Sequence, residues 1–284
     1  EHKTMPHDME LVLTSFGLSE IDWNPVLLSA MITQHDAQPD ESSHPTLDLS
    51  TPELVFPPYF YPLTNNPADD FAQYAIQYLS SRNVDWQRHP FFLVNRCDTD
   101  PRNKDWYGRL IIPTYRDGKL IFWQGRDLTD MHVQKYLSPA TNKSNVIGGY
   151  DRLQRFTDEP LYITEGWFDA YHINGVCLFG GKLTQNQIHI ISKSPRQKVV
   201  IPDKYGDGQV LGQQALDLGW CISTPDIGDA KDVDEAVQTY GLLYTLKSIQ
   251  AHTHCDRFTG EVRLGIYCEP STIKRKFKSK GSSR

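Results

Sequence analysis

Short apolar runs that lead into clusters of acidic residues constrain the fold of this chain more than any other feature. Three clusters occur, at 165–169, 203–207 and 232–235, and the run before each has the length of a strand. Continuous apolar runs are typical of parallel strands that are covered by helices on both faces. Ligands of open α/β sheets bind at the carboxyl ends of the strands, where distant clusters can meet. The sequence therefore predicts an α/β fold with an acidic site at one edge of a parallel sheet.

Alternating strands and helices are predicted around the three clusters. The predicted strands are 161–164, 176–179, 198–202 and 220–224. The predicted helices lie near 167–174, 184–193, 208–218 and 232–239. Upstream, apolar residues at helical spacing predict a helix from Ala68 to Arg82. The Asp117-Gly118 turn predicts a hairpin of strands 109–115 and 119–124.

The acidic clusters have the chemistry of a divalent metal site. Oxygen ligands suit Mg²⁺ or Mn²⁺, and two such ions commonly serve phosphate chemistry. Each ion takes few protein oxygens directly, so several carboxylates are needed. The candidate metal ligands are Glu165, Asp203, Asp207, Asp232 and Asp234. Of these, Glu165 and Asp203 are the candidate catalytic residues, with Glu165 as the candidate general base.

The order of the clusters resembles a TOPRIM domain, the metal-binding module of primases, topoisomerases and some nucleases. Three upstream segments narrow the resemblance to the RNA-polymerase core of DnaG-type primases, in particular the shorter phage forms. They are Gly108-Arg-Leu-Ile-Ile-Pro113, Lys119 to Leu128, and Lys135-Tyr-Leu-Ser-Pro139. The resemblance covers roughly residues 70–241, and the upstream series is what separates primases from other TOPRIM proteins.

This resemblance implies synthesis of RNA primers on single-stranded DNA from NTPs, with Mg²⁺ or Mn²⁺ as cofactor. By position, the basic and aromatic residues of the family motifs are Arg109, Arg126, Lys135 and Tyr136, which are expected to contact template or NTP. A replicative helicase and a separate zinc-binding primase module are further partners that the family suggests. The expected location is the cytoplasm of a bacterial cell or of a phage-infected host.

One position departs from the family pattern. The motif after the third strand is Asp-x-Asp-x-x-Gly, and here Tyr205 stands where the second aspartate belongs. A tyrosine hydroxyl is neutral near pH 7 and is a poor ligand for Mg²⁺. Tyr205 therefore keeps open the alternative of a TOPRIM module that binds nucleic acid without catalysis. A second alternative is a TOPRIM nuclease, which would use the same carboxylates for cleavage.

Charge and proline content suggest four regions. Residues 1–70 carry a net charge of −11 within a total of −6, so the rest of the chain is basic. The expected regions are an acidic N-terminal segment and Pro-rich linker (1–66), a basic N-terminal subdomain of the core (67–155), a TOPRIM domain (156–241), and a C-terminal helix with a basic tail (242–284). Within the first region, short helices are expected around 11–16 and 26–32.

The spacing of the five cysteines matches no common zinc-binding motif. Because their number is odd and no pair is close in sequence, no disulfide framework and no zinc site are expected. No apolar run approaches the roughly 20 residues that cross a bilayer, so no contact with a membrane is expected.

Overall fold

The computed structural model describes residues 49–51, 53–94, 101–155, 157–205 and 208–268. The predictions for the N-terminal helices, Asp207 and the basic tail lie outside these residues. None of the described helices is both long enough and apolar enough to cross a bilayer.

The first sheet is antiparallel and has five strands. In chain order they are β1 (Tyr61–Pro62), β2 (Phe92–Val94), β3 (Arg109–Arg116), β4 (Lys119–Asp127) and β5 (Tyr136–Leu137), and the spatial order is the same. The central hairpin β3–β4 confirms the prediction from the Asp-Gly turn, where Asp117 and Gly118 both have positive φ. Its turn end carries Arg116, and its other end pairs Leu110 with Arg126.

Helix α1 (Asp70–Ser81) precedes this hairpin, as the helical spacing predicts. It begins where the Asp69 carboxylate accepts the N–H of Ala72 at 3.0 Å. Its buried face consists of Ala72, Ala75 and Leu79. These residues share one core with strands of the first sheet and with Trp167 and Phe168 of the following region. Helix α1 thus joins the two halves of the molecule.

The second sheet is mostly parallel and confirms the α/β prediction. Its strands are β6 (Leu161–Thr164), β7 (Val176–Cys177), β8 (Lys198–Val200), β9 (Cys221–Ser223) and β10 (Thr253–His254), in the spatial order β10-β9-β8-β6-β7. Only β10 is antiparallel to its neighbour. The parallel strands are almost entirely buried, which explains their continuous apolar runs.

In the described part of the chain, six helices accompany this sheet. They are α2 (Trp167–His172), α3 (Gln185–Ser192), α4 (Gly208–Asp217), α5 (Val233–Tyr240), α6 (Leu242–Ala251) and α7 (Arg257–Cys268). The first four match the predicted helices to within two residues. The chain passes from the first sheet to the second between Leu137 and Leu161. The domain boundaries stay a prediction.

The region after Tyr240 differs from the expected single helix and tail. Strand β10 extends the sheet, and helix α7 packs on α4, with Leu264 against Gly212 and Leu216 against Gly260. The apolar residues Phe258 and Ile266 of α7 are largely exposed, so its sequence pattern does not reveal which face is buried.

The expectation of no disulfide is wrong for one pair. Cys221 and Cys255 are bonded. The antiparallel register pairs His254 with Ile222, and this places Cys255 opposite Cys221. The two residues are 34 positions apart, so only the strand pairing brings them together.

Candidate active site

Glu165 follows the last residue of β6 and is half-buried at the carboxyl edge of the sheet. The next residue, Gly166, has a φ of −103°, which other residues also adopt. Its small size matters because of a close contact. A Cβ at this position would lie 2.6 Å from Oδ2 of Asp169. Glycine therefore lets the Asp169 carboxylate lie against the chain next to Glu165.

Asp169 is a buried carboxylate of the edge, at 7% exposure. Its Oδ1 accepts the backbone N–H of Asp234 at 2.9 Å, which connects the first cluster to the third. Burial raises the pKa of Asp169 well above its ordinary value, and the nearby charge of Asp232 raises it further. Asp169 lies in the first sequence cluster, yet it was not among the predicted ligands.

Asp203 lies three residues beyond β8 and is half-buried. Burial, together with the charges of Asp169 and Glu165, raises its pKa to about 9. Gly208 accommodates the loop, because a Cβ there would lie 2.0 Å from the Asp203 carbonyl oxygen. The N–H of Lys204 donates to the Lys231 carbonyl at 2.8 Å. This bond ties the second cluster to the third.

Asp232 caps helix α5, where its Oδ1 accepts the N–H of Glu235 at 2.8 Å. Its other oxygen pairs with Nζ of Lys231 at 2.9 Å. Lys231 also pairs with Glu235. One lysine thus offsets part of the negative charge of the third cluster.

Asp234, a predicted metal ligand, is engaged by other side chains. Its carboxylate forms an ion pair with Arg82, at the end of α1, and accepts Nε2–H of His172 at 3.0 Å. The Arg82 guanidinium lies 4.9 Å from the ring centre of Tyr78 and 5.2 Å from that of Phe168. Burial, and then the charge of Arg82, lower the pKa of His172 to about 4, so its ring is neutral near pH 7. Asp234 therefore connects the two halves of the molecule.

The donor set fits a hard divalent cation in its chemistry. It consists of carboxylate oxygens, and the pKa values of Asp169 and Asp203 are raised by crowded negative charge that a cation would relieve. Within the described ranges, however, no three Asp, Glu, His or Cys side chains are grouped closely enough to hold an ion as they stand. Asp207 lies outside those ranges.

Arg126 lies on the first sheet close to this edge. It is 9% exposed, and its guanidinium carbon lies 4.9 Å from the ring centre of Tyr136 and 5.8 Å from that of Tyr78. Tyr78 also contacts Arg82, the partner of Asp234. The buried Nε–H of Arg126 has no hydrogen-bond acceptor among the residues that the structure describes. A buried donor without an acceptor is unfavourable, so a small shift of the side chain that lets it meet a ligand oxygen would be favourable.

Arg109 and Lys135 differ from Arg126 in their hydrogen bonds and in their exposure. Arg109 is 1% exposed and makes four hydrogen bonds to backbone carbonyls. The acceptors are those of Asp105, Gly125, Gln134 and Lys135. This arginine fixes the segment before β5, and its guanidinium is occupied by these carbonyls. The Lys135 side chain is exposed on that segment, and the Tyr136 ring is 38% exposed over Arg126.

Tyr205, at the position of the missing aspartate, points to the surface. It is 40% exposed, and its ring centre lies 6.0 Å from Nζ of Lys204. It adds no oxygen to the buried carboxylates. The role predicted for Asp207 stays a prediction, because that residue is outside the described part of the chain.

Two residues near the acidic edge were missed by the sequence analysis. Tyr267 and Cys268 end helix α7, and the Cys268 thiol lies 3.9 Å from the Asp203 carbonyl oxygen. Burial, followed by the negative charges of Glu165 and Asp203, raises the pKa of this thiol to about 11. Burial and the charge of Asp203 also raise the pKa of Tyr267. No motif marks these positions, since only the packing of α7 brings them here.

Similarity to known proteins was found at the level of structure. No family model matches the sequence, and no curated protein matches it. Among solved structures, the DnaG primase catalytic domain bound to ssDNA has a TM-score of 0.54 and 16% identity, covering 67% of this chain and 75% of that one. The RNA polymerase domain of Mycobacterium tuberculosis primase DnaG, in complex with a double-stranded DNA oligomer with a 6-nucleotide overhang, has a TM-score of 0.55 and 15% identity. That match covers 74% of this chain and 89% of the other.

The chain therefore has an α/β fold of the primase-core class, an antiparallel sheet followed by a TOPRIM-like, mostly parallel sheet. More particularly, it has the fold of the DnaG primase catalytic core over most of its length. The E. coli primase catalytic core is a further match, with a TM-score of 0.50 and 18% identity, covering 65% of this chain and 74% of that one. At these identities the likeness is one of fold.

Proposed function

We propose that this protein synthesises short RNA primers on single-stranded DNA by nucleotidyl transfer from NTPs. The observation that carries the proposal is Arg126, a buried arginine with an unsatisfied Nε–H beside the acidic edge. Its environment suits a phosphate oxygen, which would complete the hydrogen bonding of the guanidinium. The primase-core fold supports the same reaction.

In this proposal Glu165, Asp169, Asp203 and Asp232 would hold the divalent ions, with Asp207 as a further predicted ligand. When bound, such ions would neutralise phosphate charge and favour deprotonation of the attacking hydroxyl. Glu165 accepts the proton of the primer 3′-hydroxyl as general base, the hydroxyl oxygen bonds to the α-phosphorus of the NTP, and pyrophosphate leaves. Asp234 acts through Arg82 and His172, and so positions the acidic edge instead of ligating metal. This departs from the role first predicted for Asp234.

The basic and aromatic residues orient the substrates. Arg126 donates to a phosphate of the NTP or template, and Tyr136 covers the guanidinium. Lys135 adds an exposed positive charge that attracts the nucleic-acid backbone in a salt-dependent manner. The helicase, the zinc-binding module and the cytoplasmic location stay predictions from the resemblance.

A second candidate function is a binding module without catalysis. Tyr205 at the surface and Asp234 in its ion pair with Arg82 both leave fewer carboxylates for metal. Such a protein would bind single-stranded DNA through Arg126 and Lys135 but would transfer no nucleotide. A TOPRIM nuclease would use the same carboxylates to cleave DNA.

One assay separates these functions. The protein is incubated with single-stranded DNA, labelled NTPs and Mg²⁺ or Mn²⁺, and both the RNA products and the DNA lengths are measured. We expect short RNA products that Glu165→Gln abolishes and that the matched exposed variant Glu159→Gln leaves unchanged. Shortened DNA would favour the nuclease. Binding of DNA without products would favour the module.

A further inference from the structure

A cavity of about 330 Å³ lies at the opposite edge of the parallel sheet from the acidic residues. It forms where the end of α3 meets the short helix Tyr150–Arg152 and the turn end of the β3–β4 hairpin. Lys193 and Ser194 line it and precede β8, whereas Asp203 follows the same strand. The length of β8 therefore separates the cavity from the candidate active site.

The walls of the cavity combine apolar side chains, which form its floor, with an arginine that lies over a tyrosine ring. Leu153 and Ile190 are buried members of the core of the second sheet, and both line the cavity. The Arg116 guanidinium lies 4.4 Å from the ring centre of Tyr150. At this distance the ring attracts the guanidinium and helps to hold it at the cavity wall. An apolar floor beside such a pair suits a ligand with both a ring and an anionic group.

The charge of the lining is positive. Arg116 and the exposed Lys193 contribute two cations, and no acidic side chain lines the cavity among the described residues. Among the described residues Arg116 forms an ion pair with Asp117 at 3.8 Å, and this carboxylate is 73% exposed. A pair at that distance with one exposed partner contributes little and would not prevent binding of a second anion.

A buried hydroxyl completes the lining. Ser194 is 5% exposed, and its Oγ has no hydrogen-bond partner within the described ranges. This oxygen is closed off from solvent in its present orientation, so it would have to turn towards the cavity to meet a ligand oxygen. Because buried hydroxyl groups are normally hydrogen-bonded, the unpaired hydroxyl would gain a hydrogen bond by turning. The Arg116 guanidinium, the Lys193 ammonium and the Ser194 hydroxyl together match the oxygens of a phosphate group.

We propose that this cavity binds a nucleoside diphosphate or a closely related nucleotide. The phosphates contact Arg116, Lys193 and Ser194, and the base lies against Tyr150 and the apolar floor. The volume lies within the range of roughly 300–1,000 Å³ that is typical of small-molecule sites. Because the cavity is on the far edge of the sheet, a nucleotide bound there would act as a regulator and not as a substrate. The proposal is independent of the primase activity.

Calorimetric titration with ADP in the presence of EDTA tests this proposal. EDTA removes the divalent ions on which nucleotide binding at the acidic edge would depend. We expect saturable binding that is tighter than that of adenosine or inorganic phosphate alone. Arg116→Ala should weaken it at least tenfold, and Ser194→Ala about threefold, consistent with the loss of one charged and one neutral contact.

The matched control is Arg263→Ala, which removes an exposed arginine on α7 and should leave ADP binding unchanged. If Arg116→Ala fails to fold, Lys193→Ala replaces it, since that side chain is exposed. Absence of saturable ADP binding would overturn the proposal. Equal weakening by Arg263→Ala, or loss of binding by Arg126→Ala with Arg116→Ala unaffected, would overturn it as well. A protein that makes no primers can still bind ADP in this cavity. Failure of the nucleotide-site proposal is therefore distinguishable from failure of the proposed primase function.

Discussion

Individual carboxylates at the acidic edge oppose folding in the absence of a cation. Asp169 and Asp203 are held in a buried, negatively charged environment, and their pKa values are raised above those of the unfolded chain. The folded protein then binds more protons than the unfolded chain between about pH 4 and about pH 9. The free energy of unfolding must therefore fall as the pH rises through this window.

Asp203→Asn should reduce the fall in the free energy of unfolding that accompanies rising pH. The neutral amide removes one buried charge at neutral and alkaline pH, so the variant should be more stable than the original protein at pH 8 and less dependent on pH. Urea unfolding in EDTA between pH 5 and pH 8 measures the slope. Asp158→Asn, at an exposed position, serves as the control. Equal slopes for Asp203→Asn and the original protein would contradict the prediction.

Asp234→Ala should destabilise the protein even without metal. The substitution leaves Arg82 without its carboxylate partner between two rings, and loss of one member of a mostly buried ion pair costs about 3 kcal/mol or more. Chemical denaturation in EDTA measures the change, and Asp158→Ala should stay within about 0.5 kcal/mol of the original protein. If Asp234 served only as a metal ligand, its variant would keep full metal-free stability and lose only the effect of added Mn²⁺.

At the scale of elements, strands and helices with regular patterns were predicted well. The buried strands of the parallel sheet have continuous apolar sequences, and α1 has clear helical spacing. Helix α7 was missed because glycine, leucine and tyrosine form its buried face while larger apolar residues face outwards. Gly212 and Gly260 permit close approach of α4 and α7, an effect that composition alone does not reveal.

Helix α7 offers a matched pair of substitutions. Leu264 is 2% exposed against Gly212, whereas Ile266, two positions away, is 65% exposed. Leu264→Ala should lower the free energy of unfolding by roughly 2–4 kcal/mol, because it opens a cavity between two helices. Ile266→Ala should change it by less than about 0.5 kcal/mol. Urea denaturation of both variants measures this, and similar effects would indicate that α7 does not pack as described.

For the molecule as a whole, a shared core unites the two sheets. Helix α1, strands of the first sheet and helix α2 contribute to a single cluster of buried side chains. The Arg82–Asp234 ion pair lies next to this core. The acidic edge and Arg126 are thereby held near each other by contacts that span about 150 residues of sequence.

Divalent cations should stabilise this folded assembly. An ion that binds only the folded state at 100 times its dissociation constant adds about 2.7 kcal/mol. We expect Mn²⁺ or Mg²⁺ to raise the melting temperature by about 5 °C or more. Glu165→Gln should reduce this increase, and the exposed variant Glu159→Gln should preserve it. Calorimetry with and without EDTA provides the measurement. An unchanged melting temperature in the original protein would contradict the metal site.

The α/β class, the central hairpin, most elements of the parallel sheet and the acidic clusters at its edge are predictable from the sequence. These follow from local periodicity and from the rule that strand ends carry the ligands. Which side chains meet depends on the tertiary structure. It buried Arg109 among carbonyls, paired Asp234 with Arg82, joined Cys221 to Cys255, and placed helix α7 beside Asp203. Such contacts depend on strand register and helix packing between distant segments, and these are not encoded in any local pattern.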